Sequence, residues 1–332
     1  MGKIAWVFPG QGAQAVGMGK EVFAASAAAR DVLARADAAL NDPLLHGSRP
    51  DGDAPLSKII AEGPEETLTL TANTQPAIVT VSCAVLAALR ESVPGLPAPA
   101  FAAGHSLGEY SALVAASAMR LEDAVRLVRA RGRAMQAAVP AGEGAMSAVM
   151  GLDPEKVEDI CRRAAEGTGA VVSPANFNAP GQVVIAGHAA AVARAAELVS
   201  EEKGKAIPLK VSAPFHCALM APAARVLASE LDRVSVGALA FPVIANVDAK
   251  PNSSAERVKE LLVRQVDGAV RWEETIRVMA REGVTHVLEI GPGKVLAGLI
   301  KRIAKDLRVL SVGDAAALAQ VPAFLAEAGA SS

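Results

Sequence analysis

Aromatic side chains are scarce in this chain: Tyr occurs once, Trp twice and Phe seven times, together 3% of 332 residues. Hydrophobic residues nonetheless reach 52%, so the core has to be built from Ala, Val, Leu and Ile. Charge of one sign is lacking too. Lys and Arg number 33 against 35 Asp and Glu, a formal net charge of −2, which leaves no basic field to attract nucleic acid. Cysteine is limited to Cys83, Cys161 and Cys217, an odd number that fits a reducing cytosol better than a disulfide framework. No Cys/His cluster has metal-ligand spacing. No uninterrupted apolar run is read as long enough to cross a bilayer. The apolar residues 4–8 are too few for a signal-peptide core and end at Pro9-Gly10, and Trp6 stands where a myristoylation signal needs Ser or Thr. A soluble cytoplasmic protein is expected, with no metal, nucleic acid or membrane partner. Its length suits one large α/β domain or a domain carrying an insertion.

What the chain does have is Gly104-His105-Ser106-Leu107-Gly108, a G-x-S-x-G pattern in an informative setting. A short apolar stretch, residues 99–103, precedes it and reads as a buried strand. Tyr110, Leu113, Val114 and Ala116 follow at helical spacing. A serine on a tight strand-to-helix turn has its hydroxyl pushed clear of the backbone, beside N–H groups able to stabilise a negative oxygen. The flanking glycines fit a turn with no room for a Cβ. The plainer alternative is a glycine-rich βα turn with an incidental serine. The motif alone suggests acyl chemistry and does not name the acceptor.

Residues 4–8 read as a first buried strand, and the turn after it, Pro9-Gly10-Gln11-Gly12, contains the loose dinucleotide fingerprint Gly10-x-Gly12-x-x-Ala15. That motif needs an acidic residue closing a second strand, whereas residues 21–40 keep one helical, Ala-rich pattern. Residues 41–57, with His46, read as a surface loop. A helix is expected over 74–89 with an apolar face through Ile78, Val81, Val85 and Leu89. The next, over 121–136, carries a stripe of Leu121, Ala124, Val125, Val128 and Met135, with Glu122, Arg126, Arg129 and Arg133 opposite. Arg131 breaks this rule by projecting on the apolar side. A guanidinium aimed inward is costly unless an anion meets it. It either reaches water past a packed stem, or waits for a substrate carboxylate.

Residues 145–212 then read as strand, helix, two strands around Ala179-Pro180-Gly181, helix and strand. This βαββαβ order is that of a ferredoxin-like unit inserted into a larger, mostly parallel α/β sheet. His216 follows Pro214 in a strand-to-helix loop, a suitable place for a general base, since an unassisted serine hydroxyl is a poor nucleophile. His46, His105, His188 and His286 are weaker candidates. Ser253-Ser254-Ala255-Glu256 reads as a capping box opening a helix whose inner face carries Val258, Leu261, Leu262 and Gln265, so Gln265 is either a structural clamp or part of a site. The strand 285–290, the turn Gly291-Pro292-Gly293-Lys294 and a helix over 295–304 close the series.

Five segments together resemble the malonyl-CoA:acyl carrier protein transacylase family: Phe8-Pro9-Gly10-Gln11-Gly12, Gly104 to Tyr110, Arg131-Gly132, Phe215-His216 and Glu289 to Gly293. They run in family order across nearly the whole chain. The resemblance implies an α/β-hydrolase-like large domain over residues 1–143 and 213–332 and a ferredoxin-like subdomain over 144–212. It makes Ser106 the acylated nucleophile and His216 its base, then acid. The backbone N–H groups of Gln11 and Leu107 would form the oxyanion hole, and Arg131 would hold the malonyl carboxylate. A backbone carbonyl at Gln265 would steady the imidazole in place of an aspartate, and Phe215 matches a malonyl-selective pattern. Malonyl-CoA and a phosphopantetheinylated acyl carrier protein are then substrates, no cofactor is required, and a monomer is expected. Two rivals remain at this point, a serine ester or thioester hydrolase and a catalytically silent carrier-binding module.

Overall fold

The computed structural model describes residues 2–41, 54–211 and 213–329. The strand Lys3–Phe8 (β1) is buried from Ile4 onward and lies inside a six-stranded sheet. Side chains alternate across a strand, so Ile4, Trp6 and Phe8 join one apolar core while Ala5 and Val7 join the core on the opposite face. Burial on both faces is why this strand is continuously apolar.

After β1 come helices α1 (Lys20–Ala25), α2 (Ala27–Asn41), α3 (Leu56–Glu62), α4 (Glu65–Thr69) and α5 (Thr71–Ser92). The single helix expected over 21–40 is two, because the Ser26 hydroxyl leaves the first helix and accepts the Ala29 N–H at 3.0 Å, capping the second. Most of the loop read over 41–57, His46 included, lies outside the described residues. The helix expected over 74–89 is longer and has no solvent-facing side there: α5 is buried all round from Asn73 to Leu86, its polar residues included. By length and mean hydropathy it could cross a membrane, although Thr74, Gln75, Thr80 and Ser82 interrupt its apolar run. Here 89% of its apolar window is buried within the protein, against the sheet, against α2 and against the later helix Leu121–Ala137.

The strand β2 (Phe101–Gly104) leads through the serine turn into α6 (Gly108–Ala115), and α7 spans Leu121–Ala137. Arg129, expected on the polar side of α7, is buried and donates to Asn73 Oδ1 at 2.5 Å. The face expected to meet solvent is covered there by α5.

Strands β3 (Gly144–Met150), β4 (Val172–Ala179), β5 (Gln182–His188) and β6 (Lys205–Pro208) form a separate antiparallel sheet in the order β4-β5-β3-β6. With α8 (Pro154–Ala165) and α9 (Ala189–Glu201) between them, this is the βαββαβ arrangement, its last strand shorter than the expected 206–212. Two backbone bonds stitch it to the larger body: Phe177 N–H to Val270 O and Val270 N–H to Ala175 O, each 2.9 Å. Arg302 adds a strap from the large body to Pro180 O at 3.0 Å.

The rest of the chain comprises α10 (Ala221–Asp232), β7 (Val243–Ile244), β8 (Pro251–Asn252), α11 (Ala255–Asp267), α12 (Trp272–Arg281), β9 (Val284–Ile290) and α13 (Val295–Ile303). The capping box does not form: Ser254 is the cap residue, and its N–H is taken by Asn252 Oδ1 at 3.1 Å. Beyond the last expected element come β10 (Arg308–Val312), α14 (Ala315–Leu318) and α15 (Val321–Glu327). The large sheet runs β10-β9-β1-β2-β7-β8, parallel except for the β7–β8 pair. β2 is thus a central strand, and its C-terminal end is where ligands bind in open α/β sheets.

Candidate active site

Ser106 sits between β2 and α6 with φ 50°, a left-handed conformation that non-glycine residues adopt only when the surroundings enforce it. The surroundings are close. A Cβ on Gly104 would lie 1.9 Å from the Gly108 carbonyl carbon, and one on Gly108 would lie 2.3 Å from Phe8 O. The two motif glycines therefore let strand, turn and first helical residue fold back on β1. Asn246, just past β7, clamps the same turn by accepting the Ser106 N–H at 2.6 Å and donating to Gly104 O at 2.7 Å.

The Ser106 hydroxyl lies 2.7 Å from His216 Nε2, although 110 residues separate them. The other ring nitrogen, Nδ1, lies 2.8 Å from the backbone O of Gln265. A carbonyl only accepts, so Nδ1 carries the proton, and the neutral ring leaves Nε2 free to accept from the serine Oγ–H. Burial, followed by the positive charge of Arg131, pushes the imidazole down to about 3. It is an unprotonated base throughout the neutral range.

The sign of that shift gives a stability test. A histidine held neutral in the fold but ordinary when unfolded stabilises fully above pH 6.5, and the contribution drains away as pH falls toward about 3. Relative to His216→Gln, the wild type is expected to lose unfolding free energy as pH falls below 6.5 and to hold level above it. Denaturant titrations of both proteins check this, and a difference that is flat with pH would contradict it.

Arg131 projects from α7 into the same place, 1% exposed. Its Nη2 donates to Ser106 Oγ and to Gln265 Oε1, each at 3.0 Å, and Nη1 donates to Gln75 Oε1 at 2.7 Å. Its Nε–H has no acceptor, and among the described residues no carboxylate lies in ion-pair contact with it. Desolvation lowers its pKa from the usual arginine value. A buried guanidinium whose hydrogen-bond partners are all neutral, with the Glu109 carboxyl acting on it only through space, is an expensive arrangement that a ligand carboxylate would relieve.

Ser106, His216, Arg131 and Gln75 line a cleft of about 320 Å³ between the two sheets, with Gln11, Gly12, Met146, Leu209 and Phe215. Gln11 reaches it because the loop after β1 abuts the serine turn: a Cβ on Gly10 would lie 2.4 Å from His105 O. Among the described residues the backbone N–H groups of Gln11 and Leu107 meet no acceptor, which leaves them available to an oxyanion. The other described histidines are otherwise engaged. His105 Nε2 lies 2.9 Å from Asn178 Oδ1, His188 Nδ1 accepts the Val171 N–H, and His286 packs on Phe324. Cys217, next to His216, is no rival nucleophile, since burial pushes its thiol up to about 11. No group of three or more metal-ligating side chains occurs among the described residues.

All six residues singled out from the sequence, Ser106, His216, Gln11, Leu107, Arg131 and Gln265, fall in this one neighbourhood. Gln75, Glu109 and Asn246 were not singled out. Gln75 and Glu109 carry the only available signal, a polar side chain within an otherwise apolar helix. Asn246 ends an apolar stretch and gives none.

The whole constellation can be set beside known proteins. Residues 5–324 match the acyl transferase domain family. The chain is 47% identical over 315 residues to the malonyl CoA-acyl carrier protein transacylase of Bacillus subtilis (strain 168), covering 95% of this chain and 94% of that one. It superposes with a TM-score of 0.89 on an acyl carrier protein S-malonyltransferase from Vibrio cholerae O1 biovar eltor, at 45% identity over 96% of this chain and 99% of the other. The same score, at 44% identity over 96% and 98%, is found with a malonyl-transacylase in complex with a type II polyketide synthase acyl carrier protein.

Proposed function

The chain belongs to the acyl transferase domain family, and from that premise we propose that it moves a malonyl group from CoA to the phosphopantetheine thiol of an acyl carrier protein through an ester on Ser106. The observation that carries the choice of acyl group is Arg131. It is buried, 3.0 Å from the serine oxygen and without a carboxylate in ion-pair contact among the described residues.

His216 Nε2 takes the Ser106 proton as Oγ attacks the thioester carbonyl. The backbone N–H groups of Gln11 and Leu107 receive the oxyanion. Its collapse breaks the C–S bond, and the proton on Nε2 passes to the departing CoA sulfur. The malonyl carboxylate meanwhile takes Arg131 Nη2 away from Ser106 Oγ, an oxygen that no longer needs that donor once esterified. The carrier thiol then enters, gives its proton to Nε2, attacks the ester and leaves with the acyl group as Oγ is reprotonated. Neutral His216 suits both halves, since each begins with abstraction of a proton. The Gln265 carbonyl holds the ring in the tautomer required and receives the Nδ1–H of the transient imidazolium.

A serine hydrolase would share the same nucleophile and base, and it differs only in admitting water to the second half. The purified protein, mixed with malonyl-CoA and phosphopantetheinylated carrier, is expected to load the carrier faster than it releases free malonate. Dominant malonate release would favour the hydrolase. The proposal extends to a monomer serving fatty-acid synthesis in the cytoplasm, and the three free, buried cysteines support the reducing compartment alone.

A further inference from the structure

Glu109 is 3% exposed, at the start of α6, three residues past the serine, and the acyl-transfer steps above do not use it. One of its oxygens, Oε2, accepts two bonds: the Asn246 backbone N–H at 2.9 Å and the Gln265 Nε2–H at 2.8 Å. Each donor belongs to a residue that grips the reacting groups. Asn246 holds the Ser106 N–H and Gly104 O, as described. Gln265 gives its second amide hydrogen to Ser106 O at 2.9 Å, offers Oε1 to Arg131, and supplies the carbonyl that meets His216 Nδ1. With Glu109 and Ser106 O accepting on one side and Arg131 donating on the other, the Gln265 amide has only one satisfied orientation.

We propose that Glu109 is a positioning residue for acyl transfer: through Oε2 alone it ties the serine turn, the loop after β7 and the end of α11 together, and so keeps His216, Ser106 and Arg131 in register. This rests on Ser106 and His216 being nucleophile and base, an assignment tested separately by Ser106→Ala. It makes a specific demand. Both bonds use one oxygen, so a glutamine presenting its carbonyl at the Oε2 position would serve as well, with its NH₂ where Oε1 stands. Charge on the carboxyl is not what the site needs. Burial already pushes Glu109 up to about 7, so the neutral acid that glutamine imitates is well populated near neutrality. The ionisable groups that interact with this cluster are Arg131 from α7, His105 before the serine, Tyr110 from α6 and Asp248 after β7.

The test compares wild type with Glu109→Gln, Glu109→Met and Glu109→Asp, reading the single-turnover rate of Ser106 acylation by rapid quench and intact mass, per molecule of folded protein. Glu109→Gln is expected within about threefold of wild type. Glu109→Met keeps the volume but offers no acceptor, and should lose ~10²-fold in acylation rate with little change in KM, the scale of an ångström-sized misplacement of reacting groups. Should the Met variant fail to fold, Glu109→Asp keeps the acceptor but draws it back by one methylene, and an intermediate loss is expected. A Met or Asp variant with the wild-type acylation rate would overturn the proposal. So would a Gln variant falling as far as Met, or a loss confined to the amount of folded protein.

Discussion

Ser106→Ala is expected to abolish the malonyl adduct seen by intact mass on the wild type, and to lower transfer to the carrier by ~10⁴-fold or more, the scale on which hydrolytic nucleophile knockouts act. The structure explains why no other group would substitute. His216 Nε2 would face a methyl group, Cys217 is protonated and bonded to Pro214 O, and Arg131 would lose one acceptor while keeping Gln75 and Gln265. The fold should survive, because the turn is held by backbone contacts and by Asn246, which bonds the residue-106 N–H and not its side chain. A wild type that takes up no label would support the silent carrier-binding module instead. A Ser106→Ala protein that still forms the adduct would place the nucleophile elsewhere.

The second large effect is a change of substrate preference. Arg131→Ala is expected to lower malonyl transfer by ~10²–10³-fold, the cost of removing one partner from a buried charged pair. Acetyl transfer should fall by less than about tenfold, because acetyl has no carboxylate to lose its partner and an unpaired group is where discrimination of this kind arises. Part of the acetyl change runs the other way. Removing Arg131 removes the second-largest influence holding the His216 pKa down, so the base becomes stronger in the variant. Parallel assays with malonyl-CoA and acetyl-CoA decide the matter, and equal losses on both would take Arg131 out of the carboxylate role.

Local pattern made the parallel sheet, the antiparallel insert and the serine turn legible, because each rests on short-range periodicity and on glycines at close contacts. Arg131 was visible as a charge on the wrong side of a stripe. Its neighbour Arg129 misled, since helical geometry tells which face a residue occupies but not whether a second helix covers that face. The same blindness gave α5 one buried face when it is buried on every side. Glu109 and Asn246 escaped for a different reason. Their importance lies in bonds spanning 137 and 156 residues of chain for Glu109, and 140 and 142 for Asn246, which no local window contains. The pairing of His216 with a main-chain oxygen was likewise implied by family resemblance, since every residue has a carbonyl and none advertises it.

The hydrogen bonds joining Val270 to the edge of the small sheet, together with the Arg302 strap, bear on how the two sheets keep their places. They fasten the β4 edge of the small sheet, two strands away from the cleft residue Met146 on β3, to the body that carries Ser106 and His216. The spacing between the two sheets is thus held in part by the main chain, and no side-chain replacement at Ala175, Phe177 or Val270 short of proline deletes those bonds outright.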